Sequence, residues 1–231
     1  SPKDTLKGWN KAMEIREQLI SGKKDFKELA ITLSDDPSAR DQTDNEGKVY
    51  KGNGGDLGYF TVFQMIYPFE SAAYNTNVGE ISMPIRTNFG YHIIKVVDKR
   101  LSKGLIRVAH IMIKSPTGQN KEDSIAAKEL VDDIYERLKK GEKFEECVRK
   151  YSQDNTTNMK GGVLPWFGTG RMVPEFEEAA FSLEHDGDIS APIKTMYGWH
   201  IIKRIEKKGI PSYEEAKNEL KVKINKDSRS L

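Results

Sequence analysis

From residue 124 to 144 the apolar positions Ala127, Leu130, Ile134 and Leu138 recur at three- and four-residue steps, the spacing of one helical face. Gly141 stands where such a helix ends. DTLKGWNKAMEIREQLISGKKDF (4–26) has the same character, with Asp4 as a candidate N-cap and Gly22 as the stop. FKELAITLS (26–34) and FEECVRKYS (144–152) read as short second helices. PFESAAYN (68–75) and PEFEEAAFSL (174–183) read as third helices that begin at a proline, whose fixed φ suits a first turn. YHIIKVVDKR (91–100) and WHIIKRIEKK (199–208) are rich in β-branched residues and read as strands trailing into charge. GLIRVAHIMIKS (104–115) reads as an opening strand, and the first half has no counterpart to it. Each half therefore predicts the order β-α-α-α-β-β. This is an α+β unit with a small, mostly antiparallel sheet and three to four helices. The first half is short of its opening strand, which is expected just ahead of the abrupt start SPKDTLKGW.

The two halves also repeat each other in sequence. TNFGYHIIK (87–95) returns as TMYGWHIIK (195–203), GEISMPIRT (79–87) as GDISAPIKT (187–195), and GGDLGYF (54–60) as GGVLPWF (161–167). QMIYPFESAAY (64–74) matches RMVPEFEEAAF (171–181), pairing Met65 with Met172 and Phe69 with Phe176. Ser34 and Asp36 match Ser152 and Asp154 at an offset of 118, which falls to 107 or 108 after the glycine pairs. One insertion in RDQTDNEGKVYKGN (40–53) accounts for the change. Ordered matches with a single gap make this a tandem repeat. The expected domains are 1–101 and 102–209, with DKRLSKG (98–104) as a short linker and 210–231 as a solvated helical tail.

Composition narrows the function. The chain carries 37 basic and 35 acidic residues, well mixed, for a net charge of +2. No basic block suggests a nucleic-acid surface, and no run of 18 apolar residues suggests a membrane span. The single cysteine, Cys147, lies on an apolar helix stripe and reads as a small buried hydrophobe. His92, His110 and His200 do not make a metal site, since they fall in different domains and show no ligand spacing. His185, in SLEHDGD, reads as a solvated turn residue.

The ordered set A-H-I-x-I, G-x-x-F, S-x-D, GG-x-L, M-x-x-x-F, G-x-I-S-x-P and T-x-x-G-x-H-I-I resembles the parvulin family of peptidyl-prolyl cis/trans isomerases. Its appearance twice resembles the tandem SurA-like and PpiC-like foldases of the bacterial periplasm. Rotation about an X–Pro bond faces a barrier of about 18–20 kcal/mol because amide resonance must be broken. No covalent bond is made, so the reaction calls for no metal, cofactor or strong nucleophile. An apolar pocket can grip the proline ring and strip water from its carbonyl, and polar groups can favour the twisted amide.

The resemblance implies that Leu164, Met172 and Phe176 form the proline pocket of the second domain, with Trp166 beside them. It implies that His110, Asp154, His200 and Thr195 form a hydrogen-bonded cluster beneath it. Read alone, a histidine inside VAHIMI is more often a satisfied core residue. Whether the cluster acts on the amide or only holds the pocket's shape stays open at this point. The first-domain equivalents are Asp36, Leu57, Met65, Phe69, Thr87 and His92, and the histidine of an opening strand is absent there. Activity is therefore expected mainly in the second domain. Val163 and Pro165 depart from the family's Asp and Gly, and Pro165 removes a backbone donor from its loop. The loop KSPTGQNKEDS (114–124) lacks a basic cluster, so a phosphate requirement is not expected. The implied partners are unfolded or proline-containing polypeptides, outer-membrane and secreted precursors among them, in the periplasm. A chaperone that holds such chains in the same grooves without isomerising them is the alternative.

Overall fold

The computed structural model describes residues 2–45, 47, 49–115 and 121–227. The chain divides into two units, residues 1–101 together with 213–231, and residues 102–212.

In the first unit, α1 (Pro2–Ile20) and α2 (Phe26–Leu33) are followed by a 3-10 turn at Pro37–Ala39. α1 begins at Pro2 rather than at the expected Asp4 cap, since proline has no N–H to leave unpaired in a first turn. Asp25 caps α2, its carboxylate accepting from the Glu28 amide at 3.0 Å. The 40–53 insertion folds back on itself as β1 (Gln42–Thr43) and β2 (Val49–Tyr50), paired antiparallel. α3 (Tyr67–Asn75) precedes a tight hairpin of β3 (Ile85–Thr87) and β4 (Gly90–His92). Helix α1 lies against β4, where Trp9 meets Tyr91 edge-on at 5.8 Å.

The strand expected over 91–100 stops at His92. Beyond it the chain runs beside residues 79–82 through the Ile81–Lys95 bridge and backbone bonds from Ser82 to Ile94 (2.8 Å), Gly79 to Val96 (2.7 Å) and Val96 to Glu80 (3.2 Å). The sequence HIIKVVD has strand composition, but this contact is too irregular to extend the ladder beyond His92.

In the second unit the opening strand is β5 (Leu105–Lys114). It is followed by α4 (Lys121–Lys139), α5 (Phe144–Tyr151), a 3-10 turn (Asn158–Lys160), α6 (Pro174–Ser182), β6 (Ile193–Thr195) and β7 (Gly198–Lys208). The sheet order is β5-β7-β6, antiparallel throughout. β5 and β7 pair from Leu105–Lys208 to Lys114–Gly198, with a bulge at Arg107/Val108. On its free edge β5 also bonds the GGVLPWF loop, at His110 N–H to Gly162 O (2.9 Å), Leu164 N–H to Val108 O (2.9 Å) and both ways between Ile106 and Phe167. These bonds use the amides of residues 164 and 167, so Pro165 sits where no ladder donor is needed. A final helix, α7 (Tyr213–Lys226), buries none of its residues.

The sheet separates two apolar layers. Ala109, Ile111, Ile113 and Ile201 pack under α4 and α5 with Val131, Ile134, Phe144, Cys147 and Val148. Ile106, Val108 and Ile202 pack on the other side with Phe167, Phe176, Ala180 and Phe181. Each fully buried side chain contributes about 1.5–3 kcal/mol. Among the described residues the second unit holds 19 buried hydrophobics and the first only 5, so the core is concentrated around β5. Cys147 is fully buried in that core, and burial pushes its thiol up to about 11. In both units the G-x-I-S serine explains its motif. The amide of Ile94 donates to Ser82 Oγ and that of Ile202 to Ser190 Oγ, each at 3.0 Å, fixing the last strand. Residues 116–120 of the loop read for phosphate discrimination, and 228–231 of the tail, lie outside the described residues.

The T-x-x-G glycines give a direct comparison. Gly198 has φ +146°, and a Cβ there would stand 2.2 Å from the Ile113 carbonyl of β5. Gly90 has φ +129° and would meet nothing within 4 Å. Gly90→Ala is expected to cost about 1–2 kcal/mol of backbone strain. Gly198→Ala should cost roughly 3–5 kcal/mol, because strand pairing must also shift. Amide hydrogen exchange of each unit in the two variants measures the difference.

Candidate active site

His110 and Met112 lie on one face of β5, and His200 and Ile202 on the matching face of β7, with His110 opposite Ile202 and Met112 opposite His200. The two histidines are therefore diagonal neighbours across the strand pair. Their rings stack at 5.5 Å and 12°, and their Nδ1 atoms are 3.3 Å apart. His110 Nε2 lies 2.9 Å from Asp154 Oδ2, and His200 Nε2 lies 2.9 Å from Thr195 Oγ1. Asp154 follows α5 through Ser152, whose hydroxyl accepts the Met112 amide and holds this loop to β5. The Thr156 amide and hydroxyl bond Asp154 Oδ1 at 3.0 and 2.7 Å, and the Thr157 hydroxyl donates to Oδ2.

Electrostatics orders the protons. Burial alone would raise the Asp154 pKa, but hydrogen bonds from Thr157, Thr156 and His110 outweigh it and hold the carboxyl far below the usual range. Burial pushes His110 down, against the pull of Asp154. Burial, then the nearby His110, brings His200 to about 3. Although 2.9 Å is ion-pair distance, His110 and Asp154 thus form a neutral imidazole on a carboxylate. An ionised carboxylate only accepts, so His110 carries its proton on Nε2. His110 Nδ1 then accepts from His200 Nδ1–H, and His200 Nε2 accepts from the Thr195 hydroxyl. The Tyr197 amide donates to Thr195 Oγ1 at 3.1 Å and closes the chain.

Phe176, on α6, stands edge-on to both rings, 5.6 Å from His110 and 5.4 Å from His200. Phe167 backs it at 6.1 Å. Leu164 and Met172 pack against the same cluster but remain half-buried, so the apolar wall reaches the surface through them. Trp166 is not brought to this group. Its ring lies under Lys208 Nζ at 4.4 Å, with Arg107 5.5 Å away. Successive residues of an extended segment face opposite ways, and Phe167 is the one turned inward. The repeat carries the same clasp in the first unit, where Arg100 stacks at 3.7 Å on Tyr59, the residue matching Trp166.

Of the first-unit residues, His92 meets Thr87 Oγ1 at 2.7 Å and Phe69 edge-on at 5.5 Å. Met65, Phe69, Thr87 and His92 are only half-buried, and Leu57 is 45% exposed. Asp36 turns to the Ser38 amide at 2.9 Å. This is half of the second unit's arrangement, open on the side where β5 stands there. His185 pairs with Asp188 in an exposed turn.

The rotamase family profile, described as a PPIC-type PPIase domain, matches residues 2–98 and again 110–206. The chain belongs to that family and carries two of its domains. Chaperone SurA of Pseudomonas fluorescens (strain Pf0-1) is 33% identical over 214 residues, 90% of this chain and 46% of that protein. Chaperone SurA of Hahella chejuensis is 35% identical over 198 residues, 84% of this chain and 42% of that protein. The chain thus spans about half the length of the curated relatives it matches. The peptidylprolyl isomerase PrsA of Bacillus anthracis shares 36% identity with a TM-score of 0.41, covering 54% of this chain and 51% of its own.

The neutral histidines have a consequence for stability. Unfolding frees them to bind protons below their ordinary pKa of 6.5, which the buried rings resist. The unfolded chain then takes up more protons, so stability is complete above about 6.5 and falls as pH drops toward the folded values. Protection of the β5 and β7 amides should weaken between pH 7 and 4, by an amount on the order of a few kcal/mol. His200→Asn should flatten that dependence.

Proposed function

We propose that this chain is a prolyl isomerase of unfolded polypeptide, with its working site in the second unit. The observation that carries this reading is the pair of neutral histidines on adjacent strands, joined to Asp154 and covered by Phe176. The proline ring is taken against Phe176, Met172 and Leu164, away from water. Loss of water around the prolyl carbonyl weakens the charge-separated planar amide relative to the twisted one. The Asp154–His110–His200–Thr195 chain holds the polar floor in one protonation state, so that it does not reorganise while the bond turns. The family match and the relatives named as chaperones support both isomerisation and polypeptide binding. We extend the reading to proline-containing, outer-membrane or secreted precursors as clients, and to the bacterial periplasm as the location.

A specific feature favours polypeptide holding as a second activity of the first unit. It exposes large apolar side chains, among them Leu57 at 45% and Phe89 at 82%. Such surface suits promiscuous contact with extended chains.

Exchange NMR on a short X–Pro peptide separates these activities. The intact chain is expected to accelerate cis/trans exchange, and Asp154→Ala and Met172→Ala to reduce kcat/KM roughly 10- to 100-fold. Loss through His92→Ala instead moves the activity to the first unit. Broadened peptide resonances without acceleration leave a holding chaperone.

A further inference from the structure

Thr157 belongs to none of the repeated motifs, yet it meets Asp154, His110 and the loop that edges β5. Its side chain is buried, and its hydroxyl donates to Asp154 Oδ2 while lying 3.4 Å from His110 Nε2. Its carbonyl accepts the Gly162 amide at 2.9 Å, and the Gly162 carbonyl in turn accepts the His110 amide at 2.9 Å. One residue thus ties the carboxylate, the imidazole and the loop that edges β5. At the 118-residue offset the first unit has Ala39, also buried, and Asp36 there bonds no histidine.

We propose that Thr157 is a positioning residue that keeps Asp154 an ionised acceptor and so fixes the proton order of both histidines. The hydroxyl takes up one acceptor position of Oδ2 beside the one that faces His110 Nε2. It also holds the carboxylate in line with His110 Nε2–H. The other charged and titratable groups facing the pair are His200 on β7 and Lys194 on β6, which acts on His200. Neither donates to Asp154, whose side-chain donors among the described residues are Thr156, Thr157 and His110, acting against burial. This inference rests on the isomerase reading for its effect on rate, but not for its effect on the carboxylate.

Thr157→Val keeps shape and the backbone bonds, and Thr157→Ser keeps the hydroxyl. In the intact chain, a carbon-detected titration of Asp154 should show its midpoint about one pH unit higher in Thr157→Val, as expected for a lost hydrogen bond to a charged group. The acid limb of kcat/KM should move upward with it; Asp154 stays ionised at pH 7, so any loss of kcat/KM there, about tenfold, reports lost alignment of the carboxylate, with Thr157→Ser close to the unaltered chain. An unmoved Asp154 midpoint in Thr157→Val overturns the proposal, as does Thr157→Ser behaving like Thr157→Val. Should the chain accelerate no exchange at all, the isomerase reading fails while the Asp154 titration still decides the role of Thr157.

Discussion

The antiparallel pairing of β5 with β7 is the constraint from which the second unit follows. Its register sets His110 and His200 on one face as diagonal neighbours. The opposite face of the same residues carries Ile111, Ile113 and Ile201 into the main core. A shift by one residue would turn both histidines under α4 and α5 and the isoleucines toward α6. Site and core are therefore two sides of one hydrogen-bonded ladder, and neither can be altered without the other. The glycines of the motifs serve that ladder too, since Gly162 and Gly198 each let a neighbouring backbone approach β5.

The first unit shows what the motifs do without it. Thr87, His92 and Phe69 keep their mutual contacts, because these depend on a local hairpin and one helix. Among the described residues the buried apolar core is smaller, the assigned strand stops at His92, and Asp36 accepts from the Ser38 amide. Local sequence makes half a site. The other half comes from a strand distant in sequence.

Much of this was legible in the sequence, since it resides in periodicity and repetition. The helices and the β-α-α-α-β-β order of the second half follow from the periodicity and the repeated motifs, while the grouping of His110, Asp154, His200 and Thr195 beneath Phe176 comes from the parvulin resemblance alone. Three features were not legible, each for a physical reason. HIIKVVD has strand propensity, but its pairing with residues 79–82 is too irregular to make a ladder beyond His92. Trp166 looked like part of the pocket, yet alternation points it toward Lys208; the matched pairs Tyr59–Arg100 and Trp166–Lys208 carried that signal. Thr157 sits in the polar run QDNTTNMK, where a solvated turn is the ordinary reading, and only three-dimensional closure of the loop buries it.

The chemistry depends on burial winning over charge. Two imidazoles close to a carboxylate would ordinarily gain a proton, and here the cost of burying that charge keeps them neutral, with His200 held to about 3. The most direct test is a long-range proton–nitrogen spectrum of the histidine rings in the intact chain at pH 7. Two neutral rings are expected, His110 protonated at Nε2 and His200 at Nδ1. A doubly protonated ring at either position, or His110 protonated at Nδ1, would contradict that arrangement.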